Sequence, residues 1–181
     1  MPEKIRSNGV VQGGLTLVEL LVAITITFIL MAIAVPAFSN MLHTSRLRAA
    51  ADTLAADLRL VMSEATKRGE DALISFQQDN NGANWCYGLS ISNPCNCRQA
   101  NSCQIDGVER ITNGQDFAGL IVDPTHSSYS FKPKRSTVTA GNILFTAANG
   151  AQLKVLISGY GRIRPCSPSG SGNISGYPVC P

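Results

Sequence analysis

Residues 15–35 read LTLVELLVAITITFILMAIAV, 21 consecutive positions that carry a single charge, Glu19. At 1.5 Å per residue a helix of that length spans roughly 31 Å, the thickness of a bilayer's hydrocarbon core. The small pair Gly13-Gly14 comes before the apolar run, not after it. A removable secretory signal has the opposite order, a shorter apolar core followed by a small-residue cleavage site. Cutting after Gly14 would therefore leave the apolar helix on the mature chain. Lys4 and Arg6 precede that helix; positive flanks stay cytoplasmic, so the rest of the chain is expected across the inner membrane, as a single-pass periplasmic domain. Glu19 needs a reason for its position, because a carboxylate in hydrocarbon costs on the order of 3 kcal/mol unless it finds a partner. The plainer alternative is an acid tolerated near the end of an ordinary anchor.

Pro36 removes a backbone donor and is expected to bend the helix near the membrane exit. Past it Leu47, Ala50, Leu54, Leu58, Val61 and Ala65 recur every three or four residues, with charged side chains between them. That spacing predicts one apolar stripe facing a domain. Lys67 and Arg68 suit a helix C-terminus and Gly69 the position after it. Unbroken from residue 15 to residue 68, the helix would be about 81 Å long. No core this chain could build covers such a length, so its first half is expected in membrane or against other subunits. The period then changes to two in Ala72-Ile74-Phe76, Tyr87-Leu89-Ile91, Tyr129-Phe131, Ile143-Phe145 and Leu153-Val155-Ile157, which predicts short antiparallel strands. The expected fold is α+β, a long N-terminal helix packed by its second half on antiparallel sheet. Its parts are a leader at 1–14, a transmembrane and assembly helix at 15–36, an amphipathic helix at 37–69 and a β-rich domain at 70–181. Trp85 is expected to open a strand and pack in the core rather than stack on a ligand.

All six cysteines lie beyond residue 85 among Gly, Pro, Ser and Asn, the pattern of a disulfide framework in an oxidising compartment. Cys86, Cys95, Cys97 and Cys103 run C-x8-C-x-C-x5-C, a poor match to the paired short spacings of zinc sites, and no metal is expected. These four allow three connectivities; the one joining Cys95 to Cys97 is disfavoured by strain. Cys166 and Cys180 would close a 15-residue loop, worth roughly 3 kcal/mol of chain entropy. The loop's Gly, Ser and Pro content predicts mobility between fixed ends.

Charge is distributed unevenly. All twelve acids fall in residues 1–123, while residues 124–181 carry Lys132, Lys134, Arg135, Lys154, Arg162 and Arg164 and no acid. Such asymmetry points to an anionic partner, nucleic acid or lipid headgroups, against the plainer reading of a solvated basic face. On extended chain Arg162 and Arg164 would share one face about 6.7 Å apart, close to two axial steps of a nucleic acid strand. The plain alternative is two arginines that solubilise an edge strand.

Gly14 followed by Leu15-Thr16-Leu17-Val18-Glu19 resembles the class III signal of type IV pilins and type II secretion pseudopilins. The resemblance implies a prepilin peptidase that cuts after Gly14 and methylates Leu15. It also implies that Glu19 pairs with the N-terminal amine of a neighbouring pilin, or its own, during assembly. In that register Glu19 is fifth and Pro36 twenty-second, both as in the family; Leu15 departs from the more usual phenylalanine or methionine. Gly161-Arg162-Ile163-Arg164, just before the last cysteine pair, is similar to the GRxR motif of the FimT branch of the GspH/FimT minor pilins. The run from Trp85 to Leu89 with its C-x-C is similar to that group too. This resemblance implies DNA binding and uptake in natural transformation, with Arg162 and Arg164 as primary contacts in a site that includes Gly161. Lys154, Lys134 and Arg135 could widen the patch. The competing expectation is a structural minor pilin or pseudopilin acting in tip assembly, whose basic tail is incidental. Catalysis and cofactors are not expected: His43 and His126 are the only histidines, and no nucleophile elbow, zincin helix or phosphate-binding glycine loop is present.

Overall fold

The computed structural model describes residues 16–79, 81–170 and 173–181. Lys4, Arg6, Gly14 and Leu15, on which the leader and cleavage expectations rest, lie outside the described residues. Two compact units are present, Met1–Ser39 and Asn40–Pro181.

Helix α1, Leu17–Arg68, runs unbroken through Pro36. Its start is fixed by Thr16, whose hydroxyl accepts the Glu19 N–H at 3.2 Å. Thr16 and Glu19 thus stand in the T-x-x-E spacing of a capping box, which satisfies an otherwise unpaired donor of the first turn. Glu19 also places negative charge where the helix dipole is positive. In the first unit Leu17, Leu21, Ile24, Phe28, Leu30 and Phe38 stay exposed. The helix is long and apolar enough to cross a membrane. At the other end Gly69 adopts φ +67°, open to glycine without strain, and its N–H closes on Ala65 O at 2.9 Å. Arg68 bonds Glu64 one turn back and reaches Asp106 beyond the helix.

Eleven strands follow: β1 Ala72–Gln78, β2 Trp85–Ile91, β3 Gln104–Ile105, β4 Val108–Glu109, β5 Ile111–Asn113, β6 Leu120–Pro124, β7 Ser128–Lys132, β8 Thr137–Val138, β9 Gly141–Ala147, β10 Gln152–Ile157 and β11 Ile163–Cys166. They form a five-stranded sheet in the order β5-β2-β1-β7-β8, a four-stranded sheet in the order β11-β10-β9-β6, and the small β3-β4 hairpin. Every pairing between these strands is antiparallel. The five predicted strands are all present. Those the alternation missed are either very short, like β8, or lie at a sheet edge, like β5, β6 and β11, where fewer side chains need be apolar.

Leu47, Leu54, Leu58 and Val61 of the helix are fully buried in one cluster with Ile74, Tyr87, Tyr129, Phe145 and Val155 of the two sheets. Each such aliphatic side chain contributes about 1.5–3 kcal/mol by leaving water. Trp85 opens β2 in this core, 2% exposed. Its ring stacks with Tyr87 and Phe117, and its indole N–H donates to Leu120 O at 3.2 Å. Asp57, on the same helix, accepts the Tyr87 hydroxyl at 2.7 Å. Burial raises the Asp57 carboxyl above its ordinary range, against the lowering effect of that hydrogen bond and of Arg110.

On the other face of β2 the bridges Cys86–Cys97 and Cys95–Cys103 resolve the three open connectivities. All four sulfurs are consumed, so none is free as a thiolate ligand. The Cys95–Cys103 bridge lies directly over Gly88, where a Cβ would stand 2.2 Å from Cys103 Sγ. Glycine is required there by this close approach.

Candidate nucleic-acid interface

Strands β10 and β11 form a hairpin with Ile157 opposite Ile163, Leu156 opposite Arg164 and Lys154 opposite Cys166. Its turn is closed by three hydrogen bonds. Gly161 N–H donates to Ser158 O at 2.9 Å and Ser158 N–H to Arg162 O at 3.0 Å, while Arg162 N–H donates to Ser158 Oγ at 3.0 Å. Gly161 makes the reversal at φ +78° and is buried. A Cβ there would meet Met62 Cε at 2.8 Å, so Gly161 shapes the turn and offers no surface of its own to a ligand.

Ile163 points into the core, and Arg162 and Arg164 on either side of it are exposed. Arg164 thus lies within β11 on the face away from the core, and Arg162 stands in the turn just before the strand, about 6.7 Å from it along an extended chain. Lys154 lies on that face as the diagonal cross-strand neighbour of Arg164, a separation of about 7–8 Å. Neither arginine nor Lys154 makes an ion pair among the described residues. The one acid in the four strands of this sheet is Asp123, on β6 at the opposite edge. Three strand spacings put it about 14 Å from β11, and two put it about 9.5 Å from Lys154, both beyond the Debye length at physiological salt.

The remaining cations are placed differently. Lys134 and Arg135 lie in a 3-10 turn, Pro133–Arg135, between β7 and β8, and Lys134 shares a shallow depression with Glu70 and Asp71. A segment without acids in the sequence is thus not free of acids in space: Lys134 lies near two of them. Lys132 lines a different cleft, of about 220 Å³, with Met62, Phe131, Pro133, Val138 and Tyr160. Val138 N–H donates to Gly159 O at 3.2 Å and ties β8 to the arginine hairpin. Tyr160, to which the sequence patterns drew no attention, sits in the turn with 95% of its surface exposed. The signal was available: an aromatic between Gly159 and Gly161 has no flanking side chains to cover it.

The Cys166–Cys180 bridge forms, but the expectation of a mobile loop between its ends is corrected over the described residues. Ile174 is 4% exposed in the core, and its N–H donates to the buried Ser167 Oγ at 2.9 Å. Arg48 of α1 donates to Ser175 O at 3.2 Å, and the Tyr177 hydroxyl donates to Asp52 at 2.9 Å. Burial and the Asp52 carboxylate push the Tyr177 hydroxyl up to about 12. Two side chains, Ile174 and Tyr177, outweigh the Gly/Ser/Pro composition by docking the segment on the helix. The docked loop fixes the far end of β11, so the arginine strand is held at both ends.

Comparison with known families and structures agrees with this architecture. Residues 50–161, more than half of the chain, match the family described as "Type II transport protein GspH". Residues 11–35 match the "Prokaryotic N-terminal methylation motif". No curated protein sequence gives a significant match. Among solved structures, the type IV minor pilin FimU of Pseudomonas aeruginosa (strain PAO1) is 22% identical with a TM-score of 0.50, covering 70% of this chain and 95% of that chain. A second crystal form of FimU gives 23% and 0.47, covering 68% and 98%. The minor pseudopilin EpsH from the type 2 secretion system of Vibrio cholerae gives 16% and 0.48, covering 69% and 99%. At this identity FimU establishes a shared fold. The methylation motif implies N-terminal processing and, with the apolar helix, membrane anchoring. A long capped helix, two antiparallel sheets packed on its second half, and a family match across most of the folded domain make this chain a member of the GspH family, with the fold of the minor pilin FimU.

Proposed function

We propose that this chain is a minor type IV pilin of the FimT kind, which binds extracellular DNA through Arg162 and Arg164 and promotes its uptake in natural transformation. The reading rests on one observation: Arg162, at the hairpin turn, and Arg164, on the outward face of the stapled edge strand, are exposed and without an ion pair among the described residues, with Lys154 on the neighbouring strand and the sheet's one acid on the opposite edge. Guanidinium groups bond phosphate oxygens bidentately and keep their charge at any physiological pH. Binding of this type fixes the backbone and reads no sequence. Cleavage after Gly14 by a prepilin peptidase, methylation of Leu15, and pairing of Glu19 with a neighbouring pilin's amine complete the proposal. The chain then resides in the inner membrane or in an extracellular pilus.

The test uses the full chain in neutral detergent and a fluorescent 20-base-pair duplex, titrated between 50 and 200 mM salt. Each phosphate contact contributes about 0.9 to the slope of log affinity against log salt. Arg162→Gln/Arg164→Gln should flatten that slope by about two and lower transformation while pili remain. An unchanged slope would refute the assignment. The family's printed role in type II transport favours a second reading, a structural pilin or pseudopilin of tip assembly. That reading requires loss of pili or secretion on gene deletion and no effect of the arginine substitutions.

A further inference from the structure

Every other aromatic side chain of the second unit is buried in the core or packed against it, from Trp85 and Tyr87 to Phe117 and Tyr177. Tyr160 alone stands open. Its exposure does not come from a slack loop. The turn beneath it is closed by three hydrogen bonds, pinned to β8 through Val138 N–H, and seated by Gly161 under Met62 and Val138. A tyrosine held in this way has only its own two side-chain torsions left to lose on binding, the property that makes tyrosine an inexpensive contact residue. It precedes Arg162 by two residues and rims the 220 Å³ cleft that Lys132 lines on the other side. That volume falls below the roughly 300–1,000 Å³ of pockets enclosing drug-sized ligands; it suits one planar ring.

We infer that Tyr160 is a stacking platform for an unpaired nucleobase, and that the hairpin engages single-stranded DNA by base as well as by phosphate. The inference rests on the DNA-binding reading and names the form of the ligand. Arg162 and Arg164 hold two phosphates of a strand, and the base nearest Arg162 turns onto the phenol ring and over the cleft mouth. Aromatic stacking is tolerant of sequence because every base has a π face. A paired base has both faces covered by its neighbours in the duplex, so this contact is open to single strands only.

The experiment compares three probes on the full chain in neutral detergent: a 20-nucleotide oligothymidine, a strand of equal length whose central residues are abasic, and a duplex. One stacked base corresponds to about tenfold in affinity. The wild-type chain should bind the oligothymidine about tenfold more tightly than the abasic strand. Tyr160→Ala should erase that difference and leave abasic and duplex binding unchanged, while Tyr160→Trp should preserve it. Because the side chain is fully exposed, neither substitution disturbs the fold. Equal loss on all three probes with Tyr160→Ala, or no loss on any, overturns the stacking role. The two readings separate through Arg162→Gln/Arg164→Gln: if that variant loses all three probes while Tyr160→Ala loses none, DNA binding stands and stacking falls. If the arginine variant also binds normally, the hairpin serves a partner other than DNA and both readings fail.

Discussion

Replacing Gly88 by alanine should damage this fold through one identifiable clash. The new Cβ would stand 2.2 Å from Cys103 Sγ, 2.6 Å from Cys103 Cβ and 3.1 Å from Cys95 Sγ. Restoring ordinary contact requires the bridge to rise by about 1.2 Å. The obstacle is not the free end of a flexible chain, since both sulfurs are bonded and their loop is tied down by Cys86–Cys97. Overpacking of this kind costs about 1–3 kcal/mol, and opening the bridge instead forfeits about 2–4 kcal/mol. The smaller of these is what the variant loses, so a cost of about 1–3 kcal/mol is expected. For a domain of this size that lowers the melting temperature by roughly 4–12 °C. Trp85, the only tryptophan, is buried in an aromatic stack, so near-ultraviolet circular dichroism of the full chain in neutral detergent follows the transition. The decisive comparison is a double-mutant cycle. With Cys95→Ala/Cys103→Ala the obstacle is gone, and Gly88→Ala should then cost less than about 1 kcal/mol. An equal cost in both backgrounds, or no cost with all three bridges intact by mass spectrometry, would refute the reasoning.

Two further predictions concern charge. Asp57→Asn keeps an oxygen for the Tyr87 hydroxyl and removes a carboxylate whose ionised form burial penalises. Since the folded-state value is raised, the stability Asp57 contributes is complete below its ordinary range near 3.8 and is lost as pH rises through the folded value. Thermal unfolding should show the asparagine variant at no disadvantage at pH 7 and its relative standing falling towards pH 4; a trend in the other direction would count against the burial argument. Lys154→Gln should reduce the salt slope of DNA binding by about one, whereas Lys134→Gln, facing Glu70 and Asp71, should change it by less than half that. Equal effects of the two substitutions would mean that proximity to the arginine strand does not select the contacts.

The strands predicted from alternation were legible because each buries one face: Tyr129 and Phe131, or Leu153, Val155 and Ile157, cannot sit elsewhere. Edge strand β11 carried only Ile163 and Cys166 as buried residues, too little for a period to register. Loop composition misled over residues 173–180, since docking depends on which surface Ile174 and Tyr177 meet.

Much of the architecture was therefore written in one dimension. The apolar run and the three-to-four-residue stripe after it set the length of the helix, the two-residue period set the sheets, and the motifs around Gly14 and Arg162 pointed to a pilin. Those signals are local, each needing only the neighbouring residues to act. Disulfide pairing, the placing of Lys134 beside Glu70 and Asp71, and the exposure of Tyr160 were decided by the folded chain alone. They depend on distances between residues far apart in sequence, and only packing fixes those distances.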